Sequence, residues 1–114
     1  FLEKLDHALG HPGGIKVSGD PGRLIQKVAV CCGGGGEYYK GALAAGADVF
    51  VSGDIKHHEA QNARESGLCV VDAGHYGTER IFVQNMAQQL KQKSVGALTV
   101  ICSEVMQNPY DFIL

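Results

Sequence analysis

Several things are scarce in this sequence, and each scarcity removes a class of function. Charge of either sign is sparse, at 19% of 114 residues, with a net formal charge of -2. No basic stripe is available to neutralise nucleic-acid phosphates, which excludes nucleic acid as the default partner. No run approaches the roughly 20 apolar residues that a membrane-spanning helix requires. The opening FLEKLDHALG is a mixed helical pattern, not a basic-then-apolar leader. These absences predict a cytoplasmic protein. The four cysteines, Cys31, Cys32, Cys69 and Cys102, include no CxxC pair, so they read as reduced thiols in apolar surroundings. Low-complexity tracts and linkers are missing too, and the length fits one α/β domain over residues 1–114. Because the chain opens at Phe1 inside a helical pattern and without methionine, it is expected to be a piece of a longer protein.

What is present is a regular alternation. FLEKLDHAL has helical spacing and stops at Gly10; IKVSG alternates as a half-exposed strand does. QKVAVCC, a nearly continuous apolar run, predicts a central strand buried on both faces. Then follow helical EYYKGALAAG, the strand DVFVSG, the helix IKHHEAQNARESG, the strand LCVVDAG, a long helix YGTERIFVQNMAQQLKQKS and a last strand ALTVICS. This rhythm implies right-handed βαβ units and a mixed, mostly parallel sheet with helices on both sides. IKVSG precedes the first parallel strand by too short a connection for a crossover, so it is expected to be an antiparallel edge strand. The tail, SEVMQNPYDFIL, is expected to be irregular.

Two strand-to-helix corners can be written in one register. In VFVSGDIKHH and CVVDAGHYGTE, Gly53, Asp54 and His58 answer to Gly74, His75 and Glu79. Polar residues at i and i+4 share one face of a first helical turn. Strand C-termini in a parallel sheet gather at one rim, where open α/β folds bind ligands. An acidic residue, Glu37, also follows the Gly33–Gly36 run at a third corner.

Each residue has a bland reading beside the functional one. Asp54 reads as a helix N-cap or as a site contact, and His58 as an exposed helix residue or as a ligand or substrate contact. His57 is read as facing solvent and Thr78 as facing its turn. Glu79 could simply complement the helix dipole, yet with His75 it makes the HxxxE spacing that lets imidazole and carboxylate hold one cation. Asp72 either orients His75 or closes the turn. The glycine run fits neither GxGxxG nor GxxxxGK[ST], and Glu37 would repel phosphate, so it reads as a tight corner that lets backbone approach a neighbouring element.

VAVCCGGGG, ADVFVSGDIKHHEA and DAGHYGTE closely resemble segments of the Nif-three-like family, whose bacterial members are called GTP cyclohydrolase I type 2 homologues. The likeness runs from the QKVAVC strand onward, with departures at Cys32 and Gly36, where the family tends to have glycine and serine. It implies the C-terminal half of a two-repeat protein, each repeat an α-β-(β-α)3 unit. It also implies a dinuclear site of two divalent ions, zinc, manganese or iron, to which His75 and Glu79 contribute as metal ligands. The N-terminal half of the same protein would supply a histidine pair and an aspartate. A nucleotide substrate would be contacted by Asp54, Lys56 or Arg80, with His58 as catalytic acid or base. The assembly would be a homo-oligomer, a hexamer built as a trimer of dimers. Rival readings are a phosphohydrolase on another nucleotide and a non-enzymatic metal-binding scaffold.

Overall fold

The computed structural model describes residues 1–105 and 107–112. The chain divides into two compact units, Phe1–Glu79 and Arg80–Leu114.

In the first unit, helix α1 (Leu2–Ala8) leads to strand β1 (Lys16–Ser18) and then to strand β2 (Val28–Val30). A single 3-10 turn (Gly36–Tyr38) runs into α2 (Tyr39–Ala44), followed by β3 (Val49–Ser52), α3 (His57–Glu65), β4 (Cys69–Asp72) and α4 (His75–Glu79). The four strands form one sheet in the order β1-β4-β3-β2. β2, β3 and β4 are parallel, and β1 pairs antiparallel with β4, Lys16 opposite Asp72 and Ser18 opposite Val70. This is the expected mixed α-β-(β-α)3 arrangement, with the antiparallel strand at the edge.

VFVS and CVVD hold the centre because every residue in both strands is buried. Alternate side chains serve opposite faces of the sheet. Phe50 and Val70 pack with Tyr39, Ala42, Ala63 and Leu68 on the side covered by α2 and α3. Val49, Val51, Cys69 and Val71 pack with Leu9, supported by Leu2 and Leu5 of α1, on the other. A fully buried valine contributes roughly 1.5–3 kcal/mol, so these strands are the stable frame from which the corners project.

Two strand expectations need correction. QKVAVCC does form β2, but as an edge strand: Val28 and Val30 are 43% and 62% exposed, while Ala29 and Cys31 pack inward. An apolar run records how many faces can be buried, not how many neighbours this chain provides. ALTVICS forms no strand. Leu98 and Ile101 stand exposed, and a β-branched run without a hydrogen-bonding partner cannot become a ladder.

In the second unit the expected helix is present as α5 (Ile81–Ser94), closed at Val95 in a left-handed conformation. It is separated from α4 by the single turn residue Arg80. Among the described residues no helix is long and apolar enough to cross a membrane.

Candidate metal centre

The C-terminal ends of β2, β3 and β4 bring three glycine-containing corners together. Gly33 N–H donates to Thr78 Oγ1 at 2.8 Å, and Gly53 N–H donates to Gly33 O at 2.8 Å. The Ser52 hydroxyl sits between, donating to Gly33 O at 3.3 Å and accepting from Gly35 N–H at 3.1 Å. Ser52 and Thr78 are both buried, so every bond in this knot is shielded from water. Thr78 does more than face its turn: its hydroxyl also reaches Gly74 O and His75 O, each at 3.0 Å. A Cβ on Gly53 would lie 2.5 Å from Gly74 C and His75 N, so the β3 and β4 corners touch only because residue 53 has no side chain.

On this platform His75 begins α4 and Glu79 ends it. One helical turn brings them onto one face: His75 Nε2 lies 3.3 Å from Glu79 Oε2. The other ring nitrogen, Nδ1, meets Asp54 Oδ2 at 2.8 Å. All three side chains are about half exposed. The hydrogen bond that His75 makes to Asp54 pushes the His75 pKa above its ordinary value; burial opposes it, and the Glu79 and Asp54 charges add to it.

Asp54 is not a helix cap. It occupies a left-handed conformation, φ 51°, and α3 starts three residues later, after Lys56. The cap of α3 is instead Glu59, whose buried carboxylate accepts Lys56 N–H at 2.9 Å. This breaks the proposed register between the two corners: Asp54 and His58 do not share a helical turn as His75 and Glu79 do. Asp72 closes its turn by accepting Gly74 N–H at 3.0 Å and pairs with Lys16 at 2.8 Å, so the orienting role it was offered falls to Asp54.

The remaining expected residues are less engaged. His58 lies exposed on α3, and its side chain makes no hydrogen bond or ion pair among the described residues. Lys56 stands exposed at the α3 N-terminus, Glu37 is exposed in its 3-10 turn, and Arg80 lies exposed in the second unit. Ser52 and Glu59 were not singled out by motif, and Thr78 was read only as facing its turn; Ser52 and Thr78 carry the weak signal of a small hydroxyl next to a glycine, whereas Glu59 stands three residues after Lys56 as a capping box requires.

The donor set suits a divalent cation. An imidazole nitrogen and a carboxylate oxygen converge, and the other imidazole nitrogen is held by a carboxylate that fixes the ring, as metal-binding histidines require. Gly33 leaves the space in front of them open: a Cβ there would collide with Glu79 Oε1 and stand 3.2 Å from His75 Nε2. Among the described residues no group of three or more His, Cys, Asp or Glu is arranged to hold a metal by itself.

Comparison with known proteins agrees with this fold. Residues 1–109 match the Duf34/NIF3 (NGG1p interacting factor 3) family, and the chain belongs to that family. A Streptococcus pneumoniae protein named GTP cyclohydrolase 1 type 2 homolog is 41% identical over 92 residues, covering 78% of this chain and 34% of the relative. A Bacillus subtilis protein of the same name is 38% identical over 104 residues, covering 88% of this chain and 27% of the relative. The crystal structure of a Bacillus cereus protein related to NIF3 superposes with a TM-score of 0.83 at 31% identity, over 97% of this chain and 32% of that one. The chain therefore spans about a third of the length of the relatives it matches.

Proposed function

We propose that this chain supplies His75 and Glu79 to a dinuclear metal site in a metal-dependent hydrolase, and that it forms the C-terminal half of that protein. The observation that carries the reading is the Asp54–His75–Glu79 relay, in which one ring nitrogen is pinned at 2.8 Å and the other is aimed at a carboxylate 3.3 Å away. The remaining ligands come from the N-terminal half of the same protein, and the whole works as a cytoplasmic homo-oligomer, a trimer of dimers. Bound divalent cations, zinc, manganese or iron, supply Lewis-acid polarisation of the bond to be hydrolysed. Asp54 keeps the imidazole in one orientation. His58, a histidine that is not a ligand, serves as acid or base, and Lys56 and Arg80 offer positive charge to a nucleotide. The relatives' name, GTP cyclohydrolase 1 type 2 homolog, points to GTP as substrate; another nucleotide or phosphoester fits the same machinery.

A scaffold reading has one observation in its favour: among the described residues the His58 side chain has no hydrogen-bonding partner to orient it. The two readings separate in one experiment. The intact protein and its His58→Ala variant are offered a nucleotide panel with manganese or zinc. Metal-dependent turnover that the variant loses supports the enzyme; full metal loading without turnover of any nucleotide supports the scaffold.

A further inference from the structure

A second feature lies on the same two strand ends, on the sheet face covered by α3. Between β1 and α3 a cleft of about 360 Å³ opens, with Ile55, Ala60 and Val70 among its walls and Lys16, His57 and Asp72 among its polar groups. Its position follows from register. Lys16 and Ser18 stand opposite Asp72 and Val70, so all four share one face of the sheet. The Ser18 hydroxyl donates to Ala60 O at 3.3 Å, which ties the edge strand to α3 and forms one end of the cleft. Ile55 directly follows Asp54, and Asp72 closes the turn that delivers His75. Asp72 and His75 are three residues apart, so the Asp72 end of the cleft lies within about 11 Å, Cα to Cα, of His75.

The polar end of the cleft has a particular chemistry. Asp72 is buried, with Oδ1 accepting Gly74 N–H and Oδ2 pairing with the Lys16 ammonium at 2.8 Å. Each carboxylate oxygen retains a second lone pair, and a lysine ammonium has three protons to give. The pair thus presents an acceptor and a donor side by side over apolar walls, the complement of a flat heterocycle whose edge carries a neighbouring N–H and C=O. Pockets of roughly 300 Å³ and upward with apolar walls and a few fixed polar groups are the usual small-molecule sites. The Lys16 side chain is largely exposed, so it can move to meet a ligand, whereas Asp72 is fixed.

We propose that this cleft binds the planar heterocyclic part of the substrate, with the Lys16–Asp72 pair reading its hydrogen-bonding edge and Ile55, Ala60 and Val70 lining the space for its ring. The word substrate rests on the hydrolase reading above; the binding itself does not. The test uses the intact protein in a chelator, so that no metal contributes, titrated with GMP and separately with ribose 5-phosphate, while NMR follows the methyl groups of Ile55, Ala60 and Val70. GMP is expected to shift these signals saturably. Ribose 5-phosphate, which keeps the phosphate and lacks the base, should bind at least tenfold more weakly. Lys16→Met should weaken GMP at least tenfold, and Ala60→Trp, which fills the cleft, should abolish the shifts at Ile55 and Val70. Absence of shifts with GMP, equal binding of ribose 5-phosphate, or wild-type affinity in Lys16→Met would overturn the assignment. Metal uptake is measured separately on chelator-free protein. Metal uptake without cleft shifts rejects the cleft alone, and cleft shifts without metal uptake support the cleft while rejecting the hydrolase reading.

Discussion

Asp54 Oδ2 and His75 Nδ1 meet at 2.8 Å across two different strand-to-helix corners, 21 residues apart in the chain. The contact needs Asp54 in a left-handed conformation, φ 51°, which a residue other than glycine adopts only at a cost of about 1 kcal/mol or more. That cost is met where a side chain must be aimed.

Removing the carboxylate charge should therefore be felt at the imidazole. In Asp54→Asn the His75 pKa, now held above its ordinary value chiefly by this hydrogen bond, is expected to fall toward the free-histidine value of about 6.5. An NMR titration of the ring protons measures it directly. The sign for stability follows. The raised pKa stabilises the fold fully below the unfolded value, and that contribution is lost as pH rises through the folded value. Metal binding runs the other way, because the cation needs the neutral ring. Affinity should rise by about tenfold per pH unit until the raised pKa is passed.

Gly33 is the second test. With φ 67° and a would-be Cβ against Glu79 Oε1, Gly33→Ala combines backbone strain with displacement of the carboxylate. We expect a loss of about 1–2 kcal/mol in chemical denaturation, together with weaker metal binding. A destabilised protein with unchanged metal affinity would place the strain elsewhere.

Thr78→Val keeps shape and removes the hydroxyl that accepts Gly33 N–H at 2.8 Å. The buried amide is left without its partner, at a cost of about 1–3 kcal/mol. Hydrogen exchange at Gly33 should be faster in the variant than in the parent, where this buried bond protects the amide.

How far this site was legible in the sequence depends on distance along the chain. His75 and Glu79 are one helical turn apart, and their convergence followed from spacing. β3 and β4 were equally plain, since VFVS and CVVD are apolar, β-branched and bounded by glycine or aspartate. Of the two readings of Asp54, the cap failed because a polar residue after glycine at a strand exit has that meaning only locally; its partner, His75, stands at the start of a helix that follows another strand. The cap signal was Glu59, three residues after Lys56. QKVAVCC and ALTVICS were misjudged for a related reason. Periodicity reports that a segment is apolar, while being central or paired depends on neighbours that one segment does not encode.

Asp48 offers a pH test remote from the site. Its carboxylate accepts Lys27 N–H at 2.8 Å and Gln26 N–H at 2.9 Å, fixing the start of β2, and these bonds, with Arg23, hold its pKa below the ordinary value. The stabilisation is present above the unfolded value of about 3.9 and is lost as pH falls through the lowered folded value. In Asp48→Asn the acid limb of the stability curve should therefore be shallower than in the parent, as read from urea midpoints between about pH 5 and 2.

The most direct measurement of the central claim is metal content by elemental analysis of the intact protein, compared with His75→Ala and Glu79→Gln after identical purification and reloading. Two divalent ions per chain are expected in the parent, and a clear deficit in both variants whose fold, followed by circular dichroism, is intact. Equal metal content in all three proteins would contradict the assignment of His75 and Glu79 as ligands.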